Sequence, residues 1–72
     1  MTLKTFDRVN VSTKTHYTVF RGENYVYDFT ADYCEDSQSL FKLVHLKKQG
    51  AVVRFVTVNS ATGLLEVTVD IE

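Results

Sequence analysis

The segment that decides the fold runs from residue 51 to residue 72 and reads AVVRFVTVNSATGLLEVTVDIE. It begins with a β-branched and aromatic run and continues into a turn cluster at residues 59–63. Its last part alternates, with Leu65, Val67, Val69 and Ile71 set against Glu66, Thr68, Asp70 and Glu72. Because strand side chains point alternately to opposite faces, the segment predicts a β-hairpin whose last strand has one apolar and one polar face. The apolar face requires a second layer to cover it.

Another hairpin is predicted earlier in the chain. Residues 15–21 are rich in β-forming side chains, and residues 25–31 form the return strand. Between them, Gly22 and Asn24 are residue types that accept positive φ in a tight turn. On the return strand, strict alternation predicts one shared face for Tyr25, Tyr27, Phe29 and Ala31.

Between the hairpins, the span Ser37–Gln49 is predicted to be a helix. Asp36 or Ser37 is the expected N-cap, because a short polar side chain there accepts a bond from a free backbone amide. Two lysines lie in the last turn, where the helix dipole favours cations. Gly50 follows at the position that commonly takes a left-handed conformation.

The order of these elements indicates an α+β fold. We expect a small two-layer domain, (β)-β-β-α-β-β, with a mainly antiparallel sheet and one helix packed on it. Residues 1–72 are expected to form a single domain, in which residues 1–14 are either a first strand or a partly ordered arm. A β-grasp-like arrangement and a small, partly open barrel both fit this order, and the barrel needs the first strand.

The bulk composition argues against several classes of protein. The formal net charge of −1 leaves no basic excess to neutralise a phosphate backbone, so nucleic-acid binding is not expected. The chain has no run of about 18 apolar residues, so no membrane association is expected. One cysteine and the lack of a secretion signal point to a reducing compartment, and we expect a cytoplasmic location.

The residues that could carry chemistry form no catalytic pattern. Cys34 is the sole thiol, and His16 or His45 could approach it only through an accident of the fold. An acidic group lacks the glycine and the distal glutamate of a calcium loop, and its members are Asp28, Asp32, Glu35 and Asp36. We therefore expect no enzyme, and no catalytic, cofactor or metal site.

The side chains best suited to binding lie on the two hairpins. Tyrosine and arginine are enriched at the hot spots of protein interfaces. The expected interaction residues are Tyr17, Arg21, Tyr25 and Tyr27 on the first hairpin, with an acidic row of Glu66, Asp70 and Glu72 on the last strand. These features favour a non-enzymatic protein–protein interaction module whose partner is another protein. A small inhibitor or modulator of a larger protein, of the kind that viruses encode, fits the size and the lack of motifs.

Two other hypotheses stay open. A single-stranded nucleic-acid-binding domain of small-barrel type would stack bases on exposed aromatic rings beside Lys14, Arg21 and Arg54. A homo-oligomer is suggested by the helix, whose apolar residues spread over roughly 220° of its circumference, more than a helix on one sheet requires. Phe41 and Leu46 lie at opposite margins of that arc and mark the expected oligomer face.

Overall fold

The computed structural model describes residues 1–10, 12, 14–33 and 37–72. Its elements, in chain order, are α1 (Leu3–Val9), β1 (Lys14–Arg21), β2 (Asn24–Asp32), α2 (Ser37–Lys48), β3 (Val52–Val58) and β4 (Leu65–Asp70). The α+β class is confirmed, and the hairpins and the central helix form where the sequence predicts them. The N-cap expected at Asp36 and the thiol of Cys34 lie outside the described residues.

In the described part of the chain, the sheet has four strands in the order β2-β1-β4-β3. The outer pairs, β1 with β2 and β3 with β4, are antiparallel hairpins, whereas the central pair of β1 and β4 is parallel. Parallel strands need a crossover connection, and α2 supplies the helix of that connection between the hairpins. The sheet is therefore mainly antiparallel, as expected, and its order is the β-grasp-like alternative.

The first residues form a helix, so the expectation of a first strand or a partly ordered arm is wrong. Leu3 and Phe6 of α1 are buried, because their three-residue spacing places both on one side of a helix. Thr2 is the N-cap, and its hydroxyl accepts a hydrogen bond from the Thr5 amide at 3.2 Å. The barrel arrangement, which needs a strand here, is not the one adopted.

The residues before α1 also extend the sheet. The Leu3 amide donates to the Ala51 carbonyl, and the Val53 amide donates to the Met1 carbonyl, both at 2.8 Å. Thr2 thereby forms a single antiparallel bridge with Val52 on the outer edge of β3. This contact covers the beginning of that edge strand.

The core lies between one face of the sheet and the two described helices. Its buried apolar residues from the strands are Tyr17, Val19, Phe29, Ala31, Val67 and Val69. Those from the helices are Leu3, Phe6, Leu43 and Leu46. The rings of Tyr17 and Phe29 stack at the centre, with centroids 5.4 Å apart.

A chain of polar contacts passes through this core. The hydroxyl groups of Tyr17 and Tyr33 are 2.7 Å apart, and Tyr33 donates to the Asp7 carboxylate at 2.8 Å. Since Tyr33 has one proton to donate, Tyr17 is the donor in the first bond. Lys47 forms an ion pair with the same carboxylate, which ties α1 to α2. Burial, followed by the bonds to Tyr17 and Asp7, raises the pKa of Tyr33 far above its usual value.

The end of α2 has the predicted glycine stop. Gly50 has a φ of 75°, its amide donates to the Lys47 carbonyl, and the Ala51 amide donates to the Leu46 carbonyl, both at 3.1 Å. These two bonds form a Schellman motif, and the buried residues Leu46 and Ala51 supply its apolar contact. The motif turns the chain from the helix directly into β3.

Candidate functional site

The sheet has two unlike faces. Its helix side carries the apolar core, whereas the opposite side, here called the open face, is not covered by α1 or α2. The central rows of the open face are His16, Thr18 and Phe20 of β1, with Glu66, Thr68 and Asp70 of β4. Since neither of the described helices covers it and it carries exposed aromatic and charged side chains, it is the candidate functional site.

A β-bulge in the first hairpin changes which tyrosine belongs to the open face. Val19 pairs with Tyr27, but the next residue, Phe20, pairs with Tyr25, so Val26 is an extra residue on β2. Tyr25 therefore points to the open face with Phe20, whereas Tyr27 packs against the core. The prediction that Tyr25 and Tyr27 share one face is wrong, because strict alternation does not continue through a bulge.

Exposed aromatic rings are the main apolar groups of the open face. Tyr25 and Phe55 each leave 58% of their surface exposed. Phe20 contacts Tyr25 edge to face, with centroids 6.2 Å apart and planes at 85°. Uncovered aromatic side chains of this size supply the contact area that interface anchors use.

A second bulge places Arg54 over the same face. The pairing of β3 with β4 shifts between Val53 and Phe55, and Arg54 is the extra residue. Its guanidinium carbon lies 5.6 Å from the centroid of the Phe20 ring, and its Nη2 is 2.8 Å from the Asp70 carboxylate. Arg54 is thus held within the molecule, and its charge is compensated.

Asp70 is the centre of a set of bonds that close this end of the sheet. Its Oδ1 accepts bonds from the amides of Gly22 at 3.2 Å and Glu72 at 2.8 Å. Arg54 also donates to the Gly22 carbonyl at 2.6 Å, so the β1–β2 turn is fixed to β3 and β4. The two backbone bonds first, and then Arg54, lower the pKa of Asp70.

The other half of the open face is acidic. The Asp28 carboxylate accepts a bond from the Tyr25 hydroxyl and lies 2.9 Å from His16 Nε2. The bond from Tyr25, followed by the bond from His16, lowers the pKa of Asp28. The other nitrogen of the His16 ring, Nδ1, is 3.9 Å from Glu66, so the imidazole lies between two carboxylates.

The structure separates the predicted interaction residues of the first hairpin. Tyr17 is fully buried, so the expectation that it contacts a partner is wrong. Tyr27 is half-buried against Phe29, and its contact with a partner stays a prediction. Alternation places Tyr17 on the helix side of β1 with Val19. Tyr25 is exposed on the open face, and Arg21 is exposed at the end of β1.

Only two of the three residues of the predicted acidic row lie together on the open face. Glu66 and Asp70 pair with His16 and Phe20 of β1 and lie on the open face. Glu72 lies beyond the end of β4, beside the backbone of Gly22. Asp70 is bound within the molecule, so Asp28 and Glu66 are the carboxylates of this face that are more exposed to a partner.

The predicted oligomer face does not exist as one surface. Leu46 is completely buried in the core, because α2 and α1 pack together on that side. Phe41 is 77% exposed, and Val44 is also exposed on the same helix. One margin of the wide apolar arc of α2 is therefore buried against α1, whereas the other margin is exposed.

Sequence reasoning missed two groups of the open face. The sequence pattern predicts only a strand position for Phe55, and it does not place His16 beside carboxylates. The signal for His16 was its position across the sheet from Asp28 and Glu66, which requires the strand pairing to be known. The two bulges, which decide the face of Tyr25 and Arg54, have no local marker in the sequence.

Among the described residues, no group of three or more histidine, cysteine or carboxylate side chains could hold a metal ion. In the same part of the chain, no helix is long and apolar enough to cross a membrane. Comparison of the chain with protein-family models, curated proteins and solved structures found no match.

Proposed function

We propose that this protein is a non-enzymatic interaction module that binds a basic, partly apolar surface of another protein through its open face. The observation that carries this proposal is the mixture of exposed aromatic rings and carboxylates on one uncovered side of the sheet. Tyr25 and Phe55 supply apolar anchors, and Asp28 and Glu66 supply negative charge beside them. Such a surface is complementary to lysine or arginine side chains set among apolar groups.

The charges of the open face also favour protein over single-stranded nucleic acid. A stacking platform for bases combines aromatic rings with cations that contact phosphates. On this face, Arg54 is paired with Asp70, and His16 lies between Asp28 and Glu66. Phosphate groups near these rings would meet carboxylates, so nucleic-acid binding is the weaker alternative.

Binding alone is sufficient for the role that we assign. A domain of this size that covers a functional surface of a larger protein inhibits it or changes its partners without chemistry of its own. The rigid support of the open face suits this role, because Arg54, Asp70 and Gly22 fix one end of it. Little side-chain and loop ordering would then oppose association.

The test is an affinity capture from a lysate of the source cells with paired variants. Wild-type protein and the double variant Tyr25→Ala/Phe55→Ala are immobilised, and nuclease-treated and untreated lysates are compared by mass spectrometry. The recovered partner is then titrated against each protein by calorimetry. We expect the double variant to lose at least tenfold in affinity, or about 1.4 kcal/mol.

Two controls make the result specific to the open face. Phe41→Ala removes a still more exposed ring from α2 and should leave the affinity within a factor of two. A partner that binds the double variant as tightly as the wild type would overturn the proposal. Recovery that disappears after nuclease treatment would instead support the nucleic-acid alternative.

A further inference from the structure

The edge strand β3 is unusually apolar. Among the described residues, four of the exposed large hydrophobic side chains belong to this one strand: Val52, Phe55, Val56 and Val58. Natural sheets usually protect an edge strand with charges, prolines or a covering segment, because unpaired backbone groups there bind other strands. The sequence of residues 55–59, FVTVN, contains no charged residue and no proline.

The protection that β3 does have ends before these residues. Leu3 bonds to Ala51 and Met1 bonds to Val53, so the N-terminal segment covers only the start of the edge. Arg54, the single charged residue in the described span of β3, bonds to Asp70 and Gly22, so its side chain does not protect the outer edge. Past that point, none of the described residues pairs with the outer side of β3.

The backbone groups that face this edge can be identified. The Asn59 amide donates to the Leu64 carbonyl at 2.9 Å, so Asn59 bonds inward to the hairpin. Inward and outward residues alternate along an antiparallel strand, so Thr57 also bonds inward to Glu66. The amides and carbonyls of Val56 and Val58 therefore point outward.

We propose that the edge of β3 is the binding site for β3 of a second copy of this chain, in an antiparallel pair centred on Thr57. This register satisfies the outward groups completely, because Val56 of each copy bonds with Val58 of the other through both amide and carbonyl. The side chains also match: each Val56 faces a Val58 on the helix side, and the two Thr57 side chains meet on the open face. The product is one continuous eight-stranded sheet.

The self-pairing is compatible with the rest of each molecule. The strand of the second copy leaves the edge at Asn59, where its own turn begins, before it reaches the Met1–Leu3 segment. No like charges meet, since residues 55–59 are neutral. The edge shares Phe55 and Thr57 with the open face, but it binds through the outward backbone groups of β3, so the two proposals can fail separately.

The experiment measures mass and amide exchange on the same protein. Sedimentation equilibrium over a dilution series should show wild-type protein at twice its 8.2 kDa chain mass at high concentration. Hydrogen exchange followed by NMR should show protection of the Val56 and Val58 amides that is lost on dilution, while the Thr57 amide stays protected at every concentration. This readout needs no variant, so it does not depend on a substitution folding correctly.

A second experiment places a charge at the centre of the proposed strand pair. Thr57→Lys puts two ammonium groups opposite each other, while within one copy the new lysine pairs with Glu66 of β4. We expect the association constant of the dimer to fall at least tenfold for Thr57→Lys. Thr30→Lys, on the opposite edge strand β2, should leave this constant unchanged. A wild-type mass of 8.2 kDa at every concentration would overturn the proposal. So would a dimer that Thr57→Lys does not weaken.

Discussion

The position of Tyr17 in β1 makes it a core residue. Its neighbours and its type suggest a surface anchor, yet the alternation of β1 places it at the centre of the core, stacked on Phe29. There the phenol needs a partner, since a buried hydroxyl without one costs about 1–3 kcal/mol. Tyr33 is that partner. It belongs to a series of polar contacts that continues through Asp7 and ends at Lys47.

Replacing Tyr17 by phenylalanine should lower stability and leave the open face intact. The change removes the hydroxyl bond to Tyr33 but keeps the stacked ring, so we expect a loss of about 1 kcal/mol in the free energy of unfolding. Tyr25→Phe, on the surface, should leave the free energy of unfolding nearly unchanged. Urea denaturation measures both, and an unchanged midpoint for Tyr17→Phe would show that the polar chain contributes nothing to stability.

At the scale of elements, α1 differs from the first strand or arm expected for residues 1–14, although the sequence contains a helical signal there. Leu3, Phe6 and Val9 recur at three-residue intervals, which is a helical spacing, and Thr2 is a suitable N-cap. The segment is too short for this pattern to be decisive alone. Its helix is stabilised by packing on α2 and by the bonds to β3, which are tertiary contacts.

The cap of α1 can be tested by substitution. Thr2→Ala removes the side-chain oxygen that accepts from the Thr5 amide, so we expect a loss of about 1 kcal/mol in unfolding free energy. Thr2→Ser keeps that oxygen and should retain most of the stability. Thermal unfolding by circular dichroism compares the two variants, and equal losses would assign the effect to the methyl group that both substitutions remove, not to the hydroxyl cap.

The sequence predicted the strands and α2 well, because alternation, turn residues and a glycine stop are local signals. It predicted the site poorly, because the open face depends on two bulges and on the pairing of β1 with β4. Each bulge reverses the face of the residues on one side of it. Tyr25 and Arg54 reached the open face for that reason, and neither position carries a glycine that would have marked it.

The whole molecule separates its charges although its net charge is only −1. Within the described helices, the basic residues are Lys4, Arg8, Lys42, Lys47 and Lys48, and Asp7 is the acidic one. By alternation the open face carries an excess of carboxylates, Asp28, Asp32, Glu66 and Asp70, over the cations Lys14 and Arg54. A basic partner that approaches through solution would therefore be oriented towards the open face before contact.

Acid should destabilise the fold through the carboxylates of the open face. The folded-state pKa of Asp28 is lowered below the ordinary value of 3.8, so its contribution is present above that pH. The contribution is lost as the pH falls through 3.8 towards the folded-state pKa. In urea titrations from pH 5 to lower values, Asp28→Asn should lose less stability than the wild type.

The control for this experiment is Glu23→Gln, which removes one negative charge from the exposed β1–β2 turn. This variant should keep the acid-induced loss of the wild type. If both variants lose as much stability as the wild type over this range, the bonds of Asp28 with Tyr25 and His16 do not stabilise the folded state.

The parallel pairing of β1 and β4 also fixes how the molecule responds to force. The register runs from Thr15 opposite Leu65 to Phe20 opposite Asp70, so the start of β1 and the end of β4 lie at opposite ends of the central ladder. Tension applied between those two points acts along the strands and loads all their hydrogen bonds together, in shear. Each antiparallel hairpin pulled at its own open end would instead unzip one rung at a time. The pair of strands most distant in sequence is thus the mechanical clamp of the sheet.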